Sequence, residues 1–100
     1  MKPVSKEALL EFCREHKHEF KQIYGVNSIG VFGSIVRDEL LDSSDIDIAI
    51  EMEPDKKNLR NFMAFEKRLE MEFGRKIDLG IESSLKEFVR RRIAKDIIYV

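Results

Sequence analysis

The chain has one cysteine, Cys13, in 100 residues. A lone thiol excludes an intrachain disulfide framework and suits a reducing compartment. No apolar run approaches the roughly 20 residues that span a bilayer. The opening Met1-Lys2-Pro3-Val4-Ser5-Lys6-Glu7 carries no apolar signal segment. A soluble, cytoplasmic protein that avoids the membrane is expected. A charge excess is also missing, with 18 basic residues against 19 acidic and a net charge of -1. A dedicated nucleic-acid binder usually shows a basic surplus, so direct nucleic-acid binding is not expected. Small anionic substrates need only a local field and stay open. Repeats, low-complexity segments and linkers are absent too. The length fits one small domain over residues 1–100, with little area for a second functional module.

What is present is globular in character, 43% hydrophobic and 37% charged. After Pro3 and Ser5, the residues Leu9, Phe12, Cys13, His16, Phe20 and Ile23 fall three and four apart. They form the apolar stripe of one helix that Gly25 stops. His16 reads as a packed histidine and His18 as a surface one. Val26 to Phe32 reads as a strand, and Ser34 to Leu40 as a short helix or helical turn. Residues 41–44 are a loop, and Asp45 to Met52 a second strand. Glu53-Pro54-Asp55 breaks it. A helix from about Lys57 to Phe73 buries Leu59, Phe62, Met63, Phe65, Leu69 and Phe73, and Gly74 ends it. Lys76 to Ile81 is a third strand. Ser84 and Glu87 have the spacing of a capping box, starting a last helix with Leu85, Phe88, Val89 and Ile93 inward. Residues 97–100 form a short strand or apolar tail. The order is that of an α/β (α+β) fold, a small mixed sheet with helices packed on one face. Strand order is not legible.

The chemistry concentrates in Gly33-Ser34-Ile35-Val36-Arg37 and Ser44-Asp45-Ile46-Asp47. Strand side chains alternate, so Asp45 and Asp47 share a face while Ile46, Ile48 and Ile50 face the core. Two carboxylates on one face need a cation or a proton between them. Asp78, between Ile77 and Leu79, offers a third if its strand neighbours that of Asp47. An all-oxygen donor set suits Mg²⁺ or Mn²⁺, and Mg²⁺ completes its shell with substrate phosphates. The Gly33-Ser34 turn at a helix start suits those phosphates. Arg37 either neutralises them or locks the loop through a carboxylate. The set suits two-metal phosphoryl chemistry.

Gly33-Ser34-x-x-Arg37, then Ser44-Asp45-x-Asp47, then Asp78 between apolar residues, resembles the DNA polymerase beta-type nucleotidyltransferase superfamily. The resemblance is greatest to its minimal nucleotidyltransferase (MNT) group, which includes the antitoxins of HEPN/MNT toxin-antitoxin pairs. It covers nearly the whole chain. It implies transfer of a nucleoside monophosphate, AMP from ATP being the typical case, to a hydroxyl with release of pyrophosphate. Asp45 and Asp47 would ligate two metal ions, and Asp78 the ion at the acceptor. Gly33 and Ser34 would hold the β- and γ-phosphates, with Arg37 and Ser44 adjoining the nucleotide. The implied acceptor is a hydroxyl, typically of tyrosine, on a HEPN-type toxin in a hetero-oligomer. Members often have glycine after the motif arginine, where this chain has Asp38. With Glu39 and Asp42, its charge either weakens NTP binding or faces solvent. An alternative role is a non-catalytic antitoxin acting by occlusion. Transfer to a small molecule is disfavoured in so short a chain. Arg90-Arg91-Arg92 reads as a solvated helix face, with contact to RNA or an acidic partner as the alternative.

Overall fold

The computed structural model describes residues 4–100. Pro3, expected ahead of the first helix, lies outside them. Two helices, α1 (Lys6–Glu15) and α2 (Lys17–Tyr24), lead into β1 (Val26–Phe32). Then come β2 (Ile46–Met52), α3 (Leu59–Phe73), β3 (Ile77–Ile81), α4 (Glu87–Ile93) and β4 (Ile98–Tyr99), with short 3-10 turns at Pro54–Lys56 and Glu82–Ser84. The four strands form one mixed sheet in the order β3-β2-β1-β4. β1 is antiparallel to both β2 and β4, and β2 is parallel to β3. The fold is α+β, a small mixed sheet with helices.

The expected first helix is divided at His16. That residue leaves helical geometry, with φ -102° and ψ 6°. Its backbone N–H donates to the Phe12 carbonyl at 3.1 Å, and its ring Nδ1 donates to the same oxygen at 2.9 Å. One acceptor serves both, which tightens the turn. Past this break Phe20 is buried, but Ile23 is 56% exposed. Tyr24 packs inward in its place, against Phe20 and Phe65. Ser5 caps α1, its Oγ accepting from Ala8 N at 3.0 Å, and Asn58 caps α3 through Asn61 N at 2.8 Å. Gly25 and Gly74 end α2 and α3 as expected.

One sheet face holds the core. Ile29, Val31, Ile46, Ile48, Ile50, Ile77 and Leu79 close against Leu9, Cys13, Phe20, Phe65 and Leu69 from the helices. A bulge between Val26 and Ser28 adds one residue to β1. It turns Val26 onto the core face, where the plain alternation would have pointed it outward. Two expected core residues of α3 are outside: Leu59 is 71% exposed and Met63 54%. The stripe is narrower than the count of apolar residues: α3 packs on the core through Phe62, Phe65, Leu69 and Phe73.

The C-terminal part departs most from expectation. Ser84 lies in a 3-10 turn, and α4 begins three residues later with no side-chain cap. Leu85 and Lys86 are extended, with ψ 145° and 147°, so Glu87 is the first helical residue and not the third. No residue of α4 is buried, and Phe88 is 66% exposed. The flanks of α4 touch the second sheet face: Leu85 lies against Gly80, and Ile97 and Tyr99 against Gly30. Tyr99 pairs with Gly30 in β1, and its hydroxyl donates to Glu82.

Candidate active site

Asp47 and Asp78 are direct register partners in the parallel β2–β3 pair. They share a sheet face with Ala49 and Gly80, the next register pair on that side. Parallel pairing places the two carboxyl groups against each other, half-buried on the Asp47 side and exposed on the Asp78 side. Asp47 is pushed up to about 6 by burial first, then by the charge of Asp78 and a hydrogen bond with it, then by the charge of Asp45. The Arg37 guanidinium opposes this shift weakly.

Gly33 stands on the other side of Asp47. Its φ is +84°, in the region that favours glycine. A Cβ built there would collide with Asp47 Oδ2 and lie 3.0 Å from Cγ. The backbone of the turn is thus laid directly on the carboxylate. Residues 33–39 form a closed turn in which Gly33 O accepts from Val36 N (3.0 Å) and Ser34 O from Glu39 N (2.8 Å). This is a turn, not a regular helix. Ile35 is buried and anchors it in the core. Ser34 is half-buried, and its Oγ has no hydrogen-bond partner among the described residues.

Asp45 is not clustered with the other two. It precedes the first ladder residue of β2 and lies 4.0 Å from Lys76 Nζ, with its side chain 40% exposed. Among the described residues, no group of three or more His, Cys, Asp or Glu is gathered closely enough to hold a metal ion. The pair Asp47–Asp78 is formed, and Asp45 adjoins it through its charge. A loose, exposed ion pair such as Asp45–Lys76 contributes at most about 1 kcal/mol and exchanges readily.

Arg37 is engaged structurally. Nε meets Glu39 Oε2 at 3.1 Å, and Nη1 meets Asp96 Oδ2 at 2.6 Å. It therefore clasps the turn to the segment after α4. Ser44 closes its own loop, its Oγ accepting from Leu41 N at 3.0 Å. The Arg75 guanidinium donates to the Leu41 carbonyl and, at 3.0 Å, to that of Ser44. Arg75 and Asp96 were not singled out in the sequence, because contacts across 31 to 59 residues leave no local spacing. Asp38 has φ 58°, the left-handed region. This is a backbone reason for glycine after the motif arginine. Asp tolerates the conformation better than most residues. It is exposed and lines a 260 Å³ cleft with Ser5 and Lys6 at the start of α1. Two further clefts, an apolar one of 340 Å³ beside Phe62 and one of 520 Å³ along α1, are lined by other residues than these three aspartates.

Residues 13–100 match the nucleotidyltransferase domain family. This chain belongs to that family. The protein adenylyltransferase MntA of Thermococcus cleftensis is 35% identical, with all of both chains covered. A protein of Methanocaldococcus jannaschii named as a candidate protein adenylyltransferase is 37% identical, again over all of both chains. Among solved structures, a candidate minimal nucleotidyltransferase superposes with a TM-score of 0.80 at 24% identity, covering 98% of each chain. A toxin-antitoxin structure with AMP-PNP superposes at 0.68 and 18% identity, over 96% of this chain and 72% of that one. The minimal nucleotidyltransferase fold is thereby shared. Among the described residues, no helix is long and apolar enough to cross a membrane.

Proposed function

We propose that this nucleotidyltransferase is a protein adenylyltransferase of the MntA kind. It moves AMP from ATP to a hydroxyl of a partner protein and serves as the antitoxin to a HEPN-type toxin in the cytoplasm. The observation that carries the reading is the register pair Asp47–Asp78 with the Gly33 backbone laid against Asp47. Full-length similarity to an adenylyltransferase supports the substrate class. The fold shared with a toxin-antitoxin structure containing AMP-PNP supports the partner class and the use of an adenine nucleotide.

The donor set fits hard divalent ions, Mg²⁺ or Mn²⁺. Asp47 and Asp78, already partners in register, would hold them, with Asp45 joining from the residue before β2. When bound, such ions supply charge stabilisation at the phosphates and acidify the acceptor hydroxyl. The chain's own contribution is positional. The 33–39 turn presents Gly33 and Ser34 to the β- and γ-phosphates. Arg37 holds that turn in shape, and Ser44 with Arg75 fixes the loop leading to Asp45. Asp78 takes the acceptor proton as the acceptor oxygen attacks the α-phosphorus. The bond from that phosphorus to the bridging oxygen breaks, and pyrophosphate leaves with the electron pair.

The test is transfer of adenylate from ATP to the cognate toxin, read by an intact-mass increase of one or more AMP units on a toxin tyrosine. Asp47→Asn and Asp78→Asn should each abolish the increase while leaving toxin binding in place. Wild-type protein that binds and silences the toxin with no mass increase would instead establish neutralisation by occlusion.

A further inference from the structure

The helix α4 has no part in the core, and this is unusual for an element retained in so small a fold. None of its seven residues is buried, and it has no side-chain cap. Isolated helices of this length are marginal in water, and helices in proteins are normally held by an apolar face. Val89 and Ile93, four residues apart, are half-buried and seat one side of α4, while Phe88 is 66% exposed. Around it stand Lys86, Arg90, Arg91, Arg92 and Lys95, five of the chain's 18 basic residues, against Glu87 alone of opposite sign between 86 and 95. Arg91 is paired with Glu87 at 2.8 Å. Among the described residues Lys86, Arg90, Arg92 and Lys95 make no ion pair, although the chain as a whole is nearly neutral. Exposed aromatic and arginine side chains together are the composition enriched at protein interfaces.

Its position matters as much as its composition. The flanking residues Leu85 and Ile97 rest on Gly80 and Gly30, on the sheet face that also carries Asp47 and Asp78. Gly80 follows Asp78 by one side-chain repeat. Asp96, three residues past α4, is bonded to Arg37 of the turn that abuts Asp47. A body seated on α4 therefore lies beside the carboxylates.

We propose that the basic surface of α4 on which Phe88 and Arg92 stand four residues apart, with Lys95 just past the helix end, is the docking surface for an acidic protein that carries the acceptor hydroxyl. The inference rests on the adenylyltransferase reading and adds to it where the acceptor binds and what charge it presents. A positive patch selects a negative partner and sets its encounter rate, with a strong dependence on salt.

The probe is a random copolymer of glutamate and tyrosine, with single-stranded RNA as the competing class. Compare wild type, Arg92→Glu/Lys95→Glu, the milder Phe88→Ser, and a control pair of equal charge change on α2 and α3, Lys17→Glu/Lys67→Glu. Copolymer binding is read by fluorescence anisotropy, ATP binding by calorimetry, and transfer by label from the α-phosphate. The α4 variants should weaken copolymer binding about tenfold or more. The control pair should change it little, and ATP binding should be equal in all. Equal weakening by the control pair, or none in the α4 variants, would overturn the docking surface. So would RNA bound more tightly than the copolymer with the same dependence on α4. Copolymer bound through α4 but never labelled upholds the surface and removes the adenylyltransferase reading. Label that appears regardless of α4 does the reverse.

Discussion

The backbone of Gly33 lies so close to the carboxylate of Asp47 that a single Cβ at position 33 would collide with Oδ2. The turn and the strand are thereby one unit: the glycine's missing side chain is the space the carboxylate occupies. Gly33→Ala should cost about 1–3 kcal/mol, from the strained φ of +84° and the collision together. Chemical denaturation measures it. In a double-mutant cycle, Asp47→Ala should relieve the steric share of that cost while the φ share remains.

The raised carboxyl of Asp47 gives a pH dependence with a definite sign. Between its ordinary value of 3.8 and about 6, the folded protein holds a proton that the unfolded chain has released. The metal-free protein therefore loses stability as pH rises through that window. Asp47→Asn removes the loss. It should match wild type near pH 4 and exceed it at pH 7 by on the order of 1 kcal/mol, the shift being discounted for the half-open site. Thermal melts across pH read this directly. Adding Mg²⁺ at pH 7 should raise the wild-type melting temperature and leave the variant nearly unchanged.

Asp38→Gly should stabilise the protein by up to about 1 kcal/mol, because φ 58° is costly for a residue with a Cβ. Asp38→Val should destabilise it by more than that. Were the charge of Asp38 the important property, Asp38→Asn would change nucleotide affinity. Its exposed place beside the start of α1 predicts that affinity stays the same, as calorimetry can establish.

How much of this was legible beforehand depends on the range of the contact. The strands over 26–32, 46–52 and 77–81 follow from alternation, and Gly25 and Gly74 mark helix ends through a local backbone need. Asp47 and Asp78 stand out because a carboxylate between isoleucines or leucines must share a strand's outer face. The break at His16 was hidden, since a ring nitrogen bonding its own helix leaves the apolar spacing intact. Ser84 and Glu87 have capping-box spacing, yet Leu85 and Lys86 between them are extended, so the helix starts at Glu87 itself. Leu59 and Met63 were placed inside by type alone, whereas the sheet's width decides which of them it covers. The expected three-carboxylate cluster is a pair plus a neighbour, because Asp45 falls before the ladder that would have oriented it. Arg75 and Asp96 act across long sequence separations, which no spacing announces.

Arg75 leads to a prediction of its own. Its guanidinium holds two carbonyls of the 41–44 loop at once, a geometry lysine cannot reproduce. Arg75→Lys should lower stability by about 1 kcal/mol. It should also reduce the transfer rate through a loosened approach to Asp45. Hydrogen exchange at Leu41 and Ser44 should rise, while exchange in the β1–β2 pair should not.

The central claim is that Asp47 and Asp78, with Asp45, support transfer of the α-phosphorus of a nucleotide to a protein hydroxyl. ATP labelled on the α-phosphate, and in parallel ATP labelled on the γ-phosphate, is incubated with Mg²⁺, the partner protein and this chain. The partner should carry α-label and no γ-label, and the α-label should be lost in Asp47→Asn or on chelation of the metal. Partner protein that carries γ-label, or α-label that persists in Asp47→Asn, would contradict it.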